Sequence, residues 1–168
     1  GFTCPQGANL MELTATLDSM VDSISEIFGA ETTGILLRED DHLVMAAPTQ
    51  IAALFQPERV VEYTRRELVE ENQSPLAFSL STNSAVVVAR IPDKRFPEWS
   101  AFWKQPMEDF GLHSLVAAPL RADGEPFGVL NLCFTEVGGM SAADLDLLEV
   151  YADQAALVIL RAQAYERE

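Results

Sequence analysis

The residues most able to do chemistry lie in the C-terminal half. His113 and Cys133 are both sound ligands for iron or zinc. A thiol such as Cys133 also serves as a redox sensor when its pKa is lowered. Asn131, two residues before Cys133, carries an amide on the same face of an alternating strand. Upstream, Phe96, Trp99, Phe102, Trp103 and Phe110 form an aromatic cluster able to stack a planar ligand. Arg90, Lys94, Arg95 and Lys104 are the main local concentration of positive charge, which could draw an anion over this region. A plainer reading stands beside each. His113 is a histidine satisfied by backbone at a strand entrance. Cys133, with no basic residue near it in sequence, is a small buried hydrophobe. The aromatics are core, and the basic loop and His42 are solvated. There is no Walker loop, GxGxxG, HExxH or arguable Ser-His-Asp set, so catalysis is not expected.

The stretch 112–135 must position most of these groups. Leu115–Leu120 reads as a strand packed on both faces, and Asp123-Gly124 signals a hairpin turn. Pro126–Phe134 then alternates: Gly128, Leu130, Leu132 and Phe134 on one face, Phe127, Val129, Asn131 and Cys133 on the other. The first face suits helices. The half-polar second face predicts a cavity.

In chain order, spacings of three and four predict a helix over Asn9–Phe28, with Asn9 as N-cap and Gly29 after its end. Thr32–Arg38 and Leu43–Ala47 read as a hairpin around a polar turn. A helix is expected over Gln56–Asn72 and a short helix and turn over Ser74–Ser84. A strand follows at Ala85–Ala89, then an aromatic helix at Glu98–Phe110 containing Met107. Ser141 opens a last helix to Arg167 that is apolar over most of its circumference. Leu145, Leu148, Ala152, Ala155 and Ile159 form one line, while Leu147, Val150, Tyr151, Leu157 and Leu160 add others. So wide an apolar surface needs two partners. One is the sheet; the other is the first helix or the same helix in a second subunit, with the Leu145–Ile159 line assigned to the dimer.

The 168 residues, 48% hydrophobic, make one ordinary domain over 9–168 after an N-terminal tail of 1–8. The last helix is expected to lead into a further domain of a longer protein. A net charge of −15, from 26 acidic and 11 basic residues, argues against gripping nucleic acid or an anionic membrane. No apolar run is long enough to span a bilayer, and two cysteines are too few for a disulfide framework. A cytoplasmic location is the default.

The order helix, hairpin, helical insert, strand, aromatic helix, hairpin, long helix resembles a GAF domain. Gly111-Leu-His-Ser-Leu-Val-Ala-Ala-Pro-Leu120, then Gly128-Val-Leu-Asn-Leu132, then Asp144-Leu145…Leu148…Ala152…Gln154-Ala155-Ala156 carry the resemblance. It implies an α+β, PAS-like fold: an antiparallel sheet of five to six strands, terminal helices on one face, and a ligand pocket on the other, roofed by the 49–111 insert. It also implies a sensory, signal-transducing module, as in transcription regulators and two-component systems, dimerising through its terminal helices. On this pattern Val129, Asn131 and Cys133 face the pocket with His113, Leu115 and Ala117, and Trp99, Phe102, Trp103 and Met107 roof it. The ligand stays unnamed. Two alternatives stand: a dimerisation module without ligand, and a metal or redox sensor using His113 and Cys133. Nitric-oxide-responsive activators of this family carry an iron site with a histidine at the position of His113. Their cysteine two residues on is Leu115 here, an acidic ligand is replaced by Cys133, and Glu98, Glu108 and Asp109 are the nearest acids. The asparagine-lysine signature of cyclic-nucleotide members is absent, since Leu132 follows Asn131. The Cys-His pair of many bilin-binding members is absent as well. A haem member would have only His113 as an axial candidate. The family's methionine sulfoxide reductases need several pocket cysteines, and Cys4 lies outside the domain body.

Overall fold

A computed structural model describes residues 6–48 and 74–167. The helix expected at Gln56–Asn72 lies outside the described residues. The elements are α1 (Gln6–Phe28), β1 (Thr32–Glu39), β2 (His42–Ala47), α2 (Pro75–Thr82), β3 (Val86–Val88), α3 (Pro97–Asp109), β4 (Ser114–Ala122), β5 (Glu125–Phe134) and α4 (Ala142–Arg167). Among the described residues the strands form one five-stranded sheet in the order β2-β1-β5-β4-β3, with every pair antiparallel. This is the α+β architecture expected of the sequence.

Local chemistry sets several boundaries. Asp123 and Gly124 both have positive φ, 50° and 80°, as a two-residue hairpin turn requires, and so join β4 to β5 directly. Ser74 caps α2 by accepting a hydrogen bond from the Ala77 N–H at 3.0 Å, with Pro75 in the first turn. Ser141 does the same for α4 from Asp144 N–H at 3.1 Å. The first helix starts earlier than expected. It runs back to Gln6, so Asn9 is an interior residue and not the N-cap. One interior glycine, Gly7, costs a helix only about 1 kcal/mol and does not stop it.

β5 is the central strand, paired with β1 on one side and β4 on the other. Its outer face carries Leu130 and Leu132, which pack with Ile35, Val116, Ala118 and Leu120 beneath Leu17, Val21 and Ile24 of α1. Leu148, Ala152, Ala155 and Ile159 of α4 join the same core, each at most 1% exposed. The Leu145–Ile159 line therefore packs inside the subunit, which corrects its assignment to a dimer. α4 lies over β4 and beside α1, and that position turns this line inward. An edge-to-face contact of Phe28 with Tyr151, centroids 5.9 Å apart, holds the end of α1 to α4. The exposed line of α4 is Leu147, Val150 and Leu157.

A register shift falls between Leu120 and Arg121, where Leu120 faces Gly128 but Arg121 faces Pro126. Phe127 is the extra residue. The bulge turns it to the helix side, where it packs against the outer core and not with Val129 as strict alternation predicts. Gly128 next to it is sterically required. A Cβ there would stand 2.6 Å from the backbone oxygen of Leu36. Gly128→Ala is accordingly expected to destabilise the fold by about 1–3 kcal/mol, read as a lower urea midpoint. An unchanged midpoint would contradict the close packing of β1 on β5.

Candidate functional site

Cross-strand register builds the inner face in rows. Thr32, Cys133, Leu115 and Val88 form one row. Gly34, Asn131, Ala117 and Val86 form the next. Leu36, Val129 and Pro119 form a third. Cross-strand partners share a face, so Asn131 sits mid-sheet between two rows that are apolar apart from Thr32 at the β1 end of one. A second core covers this face. Leu76 and Leu80 come from α2, Phe96 from the turn before α3, and Trp99 and Met107 from α3 itself. Phe78, Phe96 and Trp99 pack edge to face in series, with centroids 6.0 and 6.5 Å apart.

Seven expected residues thus come together on the inner side: Trp99, Trp103, Met107, Leu115, Ala117, Val129 and Cys133. Asn131, itself half-buried, joins them by register, and its side-chain oxygen Oδ1 is buried without a hydrogen-bond partner among the described residues. The buried hydroxyls nearby are engaged. Ser74 caps α2, Ser79 donates to the Ser84 carbonyl at 2.8 Å, and Ser100 accepts from Asp93 N–H at 3.1 Å. A buried acceptor left unpaired costs about 1–3 kcal/mol. Gly34 was missed by sequence reasoning. A glycine inside a strand pattern was the available signal.

Two expected site residues fall elsewhere. Phe102 is exposed. Trp99, Trp103 and Met107 recur every four residues along one side of α3, and at about 100° per residue Phe102 turns onto the far flank. His113 is also exposed, because it precedes β4 by one residue. Its backbone is held, with its N–H donating to Phe134 O and its carbonyl accepting from Ile91 N–H. Cys133 pairs with Leu115, two residues further along the strand, and is buried. A metal or redox pair of His113 and Cys133 is not assembled. Among the described residues no three metal-ligating side chains gather. The basic loop is partly neutralised. Arg95 pairs with Asp93 at 2.9 Å and donates to the Val87 carbonyl at 2.7 Å, and this bonding holds the Asp93 carboxyl below its ordinary pKa.

A groove of about 440 Å³ lies on the opposite, helix-bearing side at one end of the sheet, lined by Phe28, Val116, Phe134, Glu136, Met140 and Asp144. It mixes apolar walls with two carboxylates and meets the sheet at the start of β4 and the end of β5.

Burial in apolar surroundings pushes the Cys133 thiol up to about 12. The unfolded chain ionises this thiol first. Its contribution to stability is therefore complete below its ordinary pKa of 9.0 and is lost as pH climbs toward 12. Iodoacetamide at pH 8 is expected to leave Cys133 unmodified in the native protein and to label it fully in urea, read by peptide mass spectrometry. Rapid native labelling would contradict the buried, protonated thiol.

The GAF domain family model matches residues 12–159. No curated protein sequence matches the chain significantly. Among solved structures, the blue-light absorbing form of the Thermosynechococcus elongatus PixJ GAF domain aligns with TM-score 0.70 at 14% identity. That match covers 98% of this chain and 94% of that one. The GAF domain of an Acinetobacter phosphoenolpyruvate-protein phosphotransferase aligns with TM-score 0.66 at 15% identity, over 99% and 100% of the two chains. A type II free methionine-R-sulfoxide reductase from Thermoplasma acidophilum aligns with TM-score 0.63 at 14% identity, over 90% and 94%. At these identities the likeness is one of fold, and this fold carries a light-absorbing domain and a reductase alike. The family match spans both helical layers and all five strands of the sheet, and this chain belongs to the GAF domain family.

Proposed function

We propose that this GAF domain is a sensory and regulatory module that binds a small molecule between the inner face of its sheet and the 49–111 insert. GAF domains are typically modules of this kind. The observation that carries the reading is the unpartnered Asn131 oxygen, set mid-sheet among Leu36, Leu115, Val129 and Cys133. A purely structural second core gains nothing from an unsatisfied amide there, whereas a binding face gains an orienting contact. The reductase in the same fold is a poorer guide. Cys133 is the one cysteine among the described residues, and its thiol is held protonated.

Signalling needs a surface that responds to the ligand. α4 supplies one. Leu147, Val150, Gln154, Leu157 and Arg161 follow one another at alternating steps of three and four, and all are exposed. This is the spacing of a coiled-coil seam, with Gln154 as a polar residue able to fix register against a second copy of the chain. The buried line of α4 lies on the sheet across from the proposed site. A shift in the sheet on binding would then reach the dimer seam through the same helix, biasing two arrangements of the pair.

Native mass spectrometry of the purified protein is expected to give a dimer carrying a non-covalent mass that leaves on denaturation. Leu147→Glu combined with Leu157→Glu is expected to give a monomer by analytical ultracentrifugation, with an unchanged far-ultraviolet circular dichroism spectrum. A wild-type monomer would contradict the seam. A dimer insensitive to both substitutions would place its interface elsewhere.

A further inference from the structure

The groove of about 440 Å³ sits where α1 stops and α4 starts. Phe28 closes α1, Phe134 ends β5, Met140 precedes α4 and Asp144 stands in its first turn. The volume is that of a small-molecule site. Val116 completes the apolar walls, and the polar side chains are mainly acceptors. Glu136 and Asp144 are exposed carboxylates, and among the described residues neither has an ion-pair partner. Ser114 is 2% exposed and donates its hydroxyl hydrogen to the Glu136 carbonyl at 2.7 Å. What its oxygen has left is lone pairs for a further donor. No Lys, Arg or His lines the groove. The end of α1 adds the negative pole of a 23-residue helix. On the α4 side, the Asp144 N–H is already taken by Ser141 Oγ at 3.1 Å. The net charge of −15 reinforces the local sign.

We propose that this groove binds a small organic cation, an ammonium or guanidinium group on an apolar stem. The site is on the helix side of the sheet and does not depend on the inner face binding anything. The stem packs against the apolar walls, and the N–H groups of the head donate to the two carboxylates and to Ser114 Oγ. Phe28 and Phe134 make part of the wall aromatic, and aromatic faces attract cations. An anion would meet two like charges. A bare metal ion would find two carboxylates and no use for the walls, and among the described residues no three metal-ligating side chains gather. A neutral apolar molecule would use the walls alone. An organic cation uses both halves of the lining. An occupant touching Phe28 and Asp144 bridges the end of α1 and the start of α4, the helix that carries the exposed Leu147, Val150 and Leu157.

Phenethylammonium, 2-phenylethanol and 3-phenylpropionate test this as a matched set, with one ring, one stem and a positive, neutral or negative end. Each is titrated into the folded protein at neutral pH. The readouts are the backbone amide resonances of Val116, Glu136 and Asp144, with the Asn131 side-chain amide reporting on the inner face. The ammonium is expected to shift the three backbone amides and to bind about tenfold more tightly than the alcohol, as two exposed ion pairs of ordinary strength would give. Added sodium chloride is expected to narrow that ratio. The carboxylate is expected to leave these resonances unmoved. Glu136→Gln combined with Asp144→Asn is expected to weaken the ammonium to the level of the alcohol, with an unchanged far-ultraviolet circular dichroism spectrum. Equal binding of ammonium and alcohol to the unsubstituted protein would overturn the charge selection. The same shifts from sodium or magnesium chloride at equal concentration would make the groove a diffuse counterion site and overturn the proposal. Shifts confined to the Asn131 amide would overturn this site while supporting a ligand on the inner face.

Discussion

A sheet whose central strands are apolar on both faces has to be covered twice, and this constraint organises the whole chain. β5 lies between β1 and β4, and its side chains alternate between two environments. The outer environment is complete. Leu130 and Leu132 meet α1 and α4 in a core whose members from Leu17 to Ile159 are nearly inaccessible. The inner environment has a mostly apolar lining but holds, among the described residues, one amide oxygen without a hydrogen-bond partner.

The same strand therefore does two jobs through one period. Gly128 lets β1 approach β5 closely enough to hold the sheet. The bulge at Phe127 sends that ring outward, leaving Val129, Asn131 and Cys133 as the inner set. Burial makes Cys133 a small apolar group and not a reactive one. The Asn131 oxygen is then a buried acceptor of the layer without a partner among the described residues, while Ser74, Ser79 and Ser100 are engaged in caps and turns. The chemistry of the inner face reduces to shape plus a single acceptor. That favours recognition over catalysis.

Much of this was legible in the sequence because it is local. Asp123-Gly124 fixes the hairpin, Ser74 and Ser141 fix two helix starts, and alternation from Gly128 onward sorts the faces of β5. Errors arose where three-dimensional context decides. α4 is apolar over most of its girth, so its sequence does not say which line faces inward; contact with β4 and α1 selects Leu148, Ala152, Ala155 and Ile159. His113 looked inward by parity, but the strand begins one residue later and the side chain is released to the exterior. Gly34 and Gly128 look alike as strand glycines, and only the distances to Leu36 and Ala47 separate a position closed to a Cβ from one that would accept it in ordinary contact.

The most direct test of the account is a high-resolution crystal structure of the protein as purified, inspected at the Asn131 side chain. The account predicts density that is not protein on the inner side of the sheet, with a donor within hydrogen-bond distance of Asn131 Oδ1. A protein group donating to the same oxygen would contradict it, leaving the inner face as a second structural core.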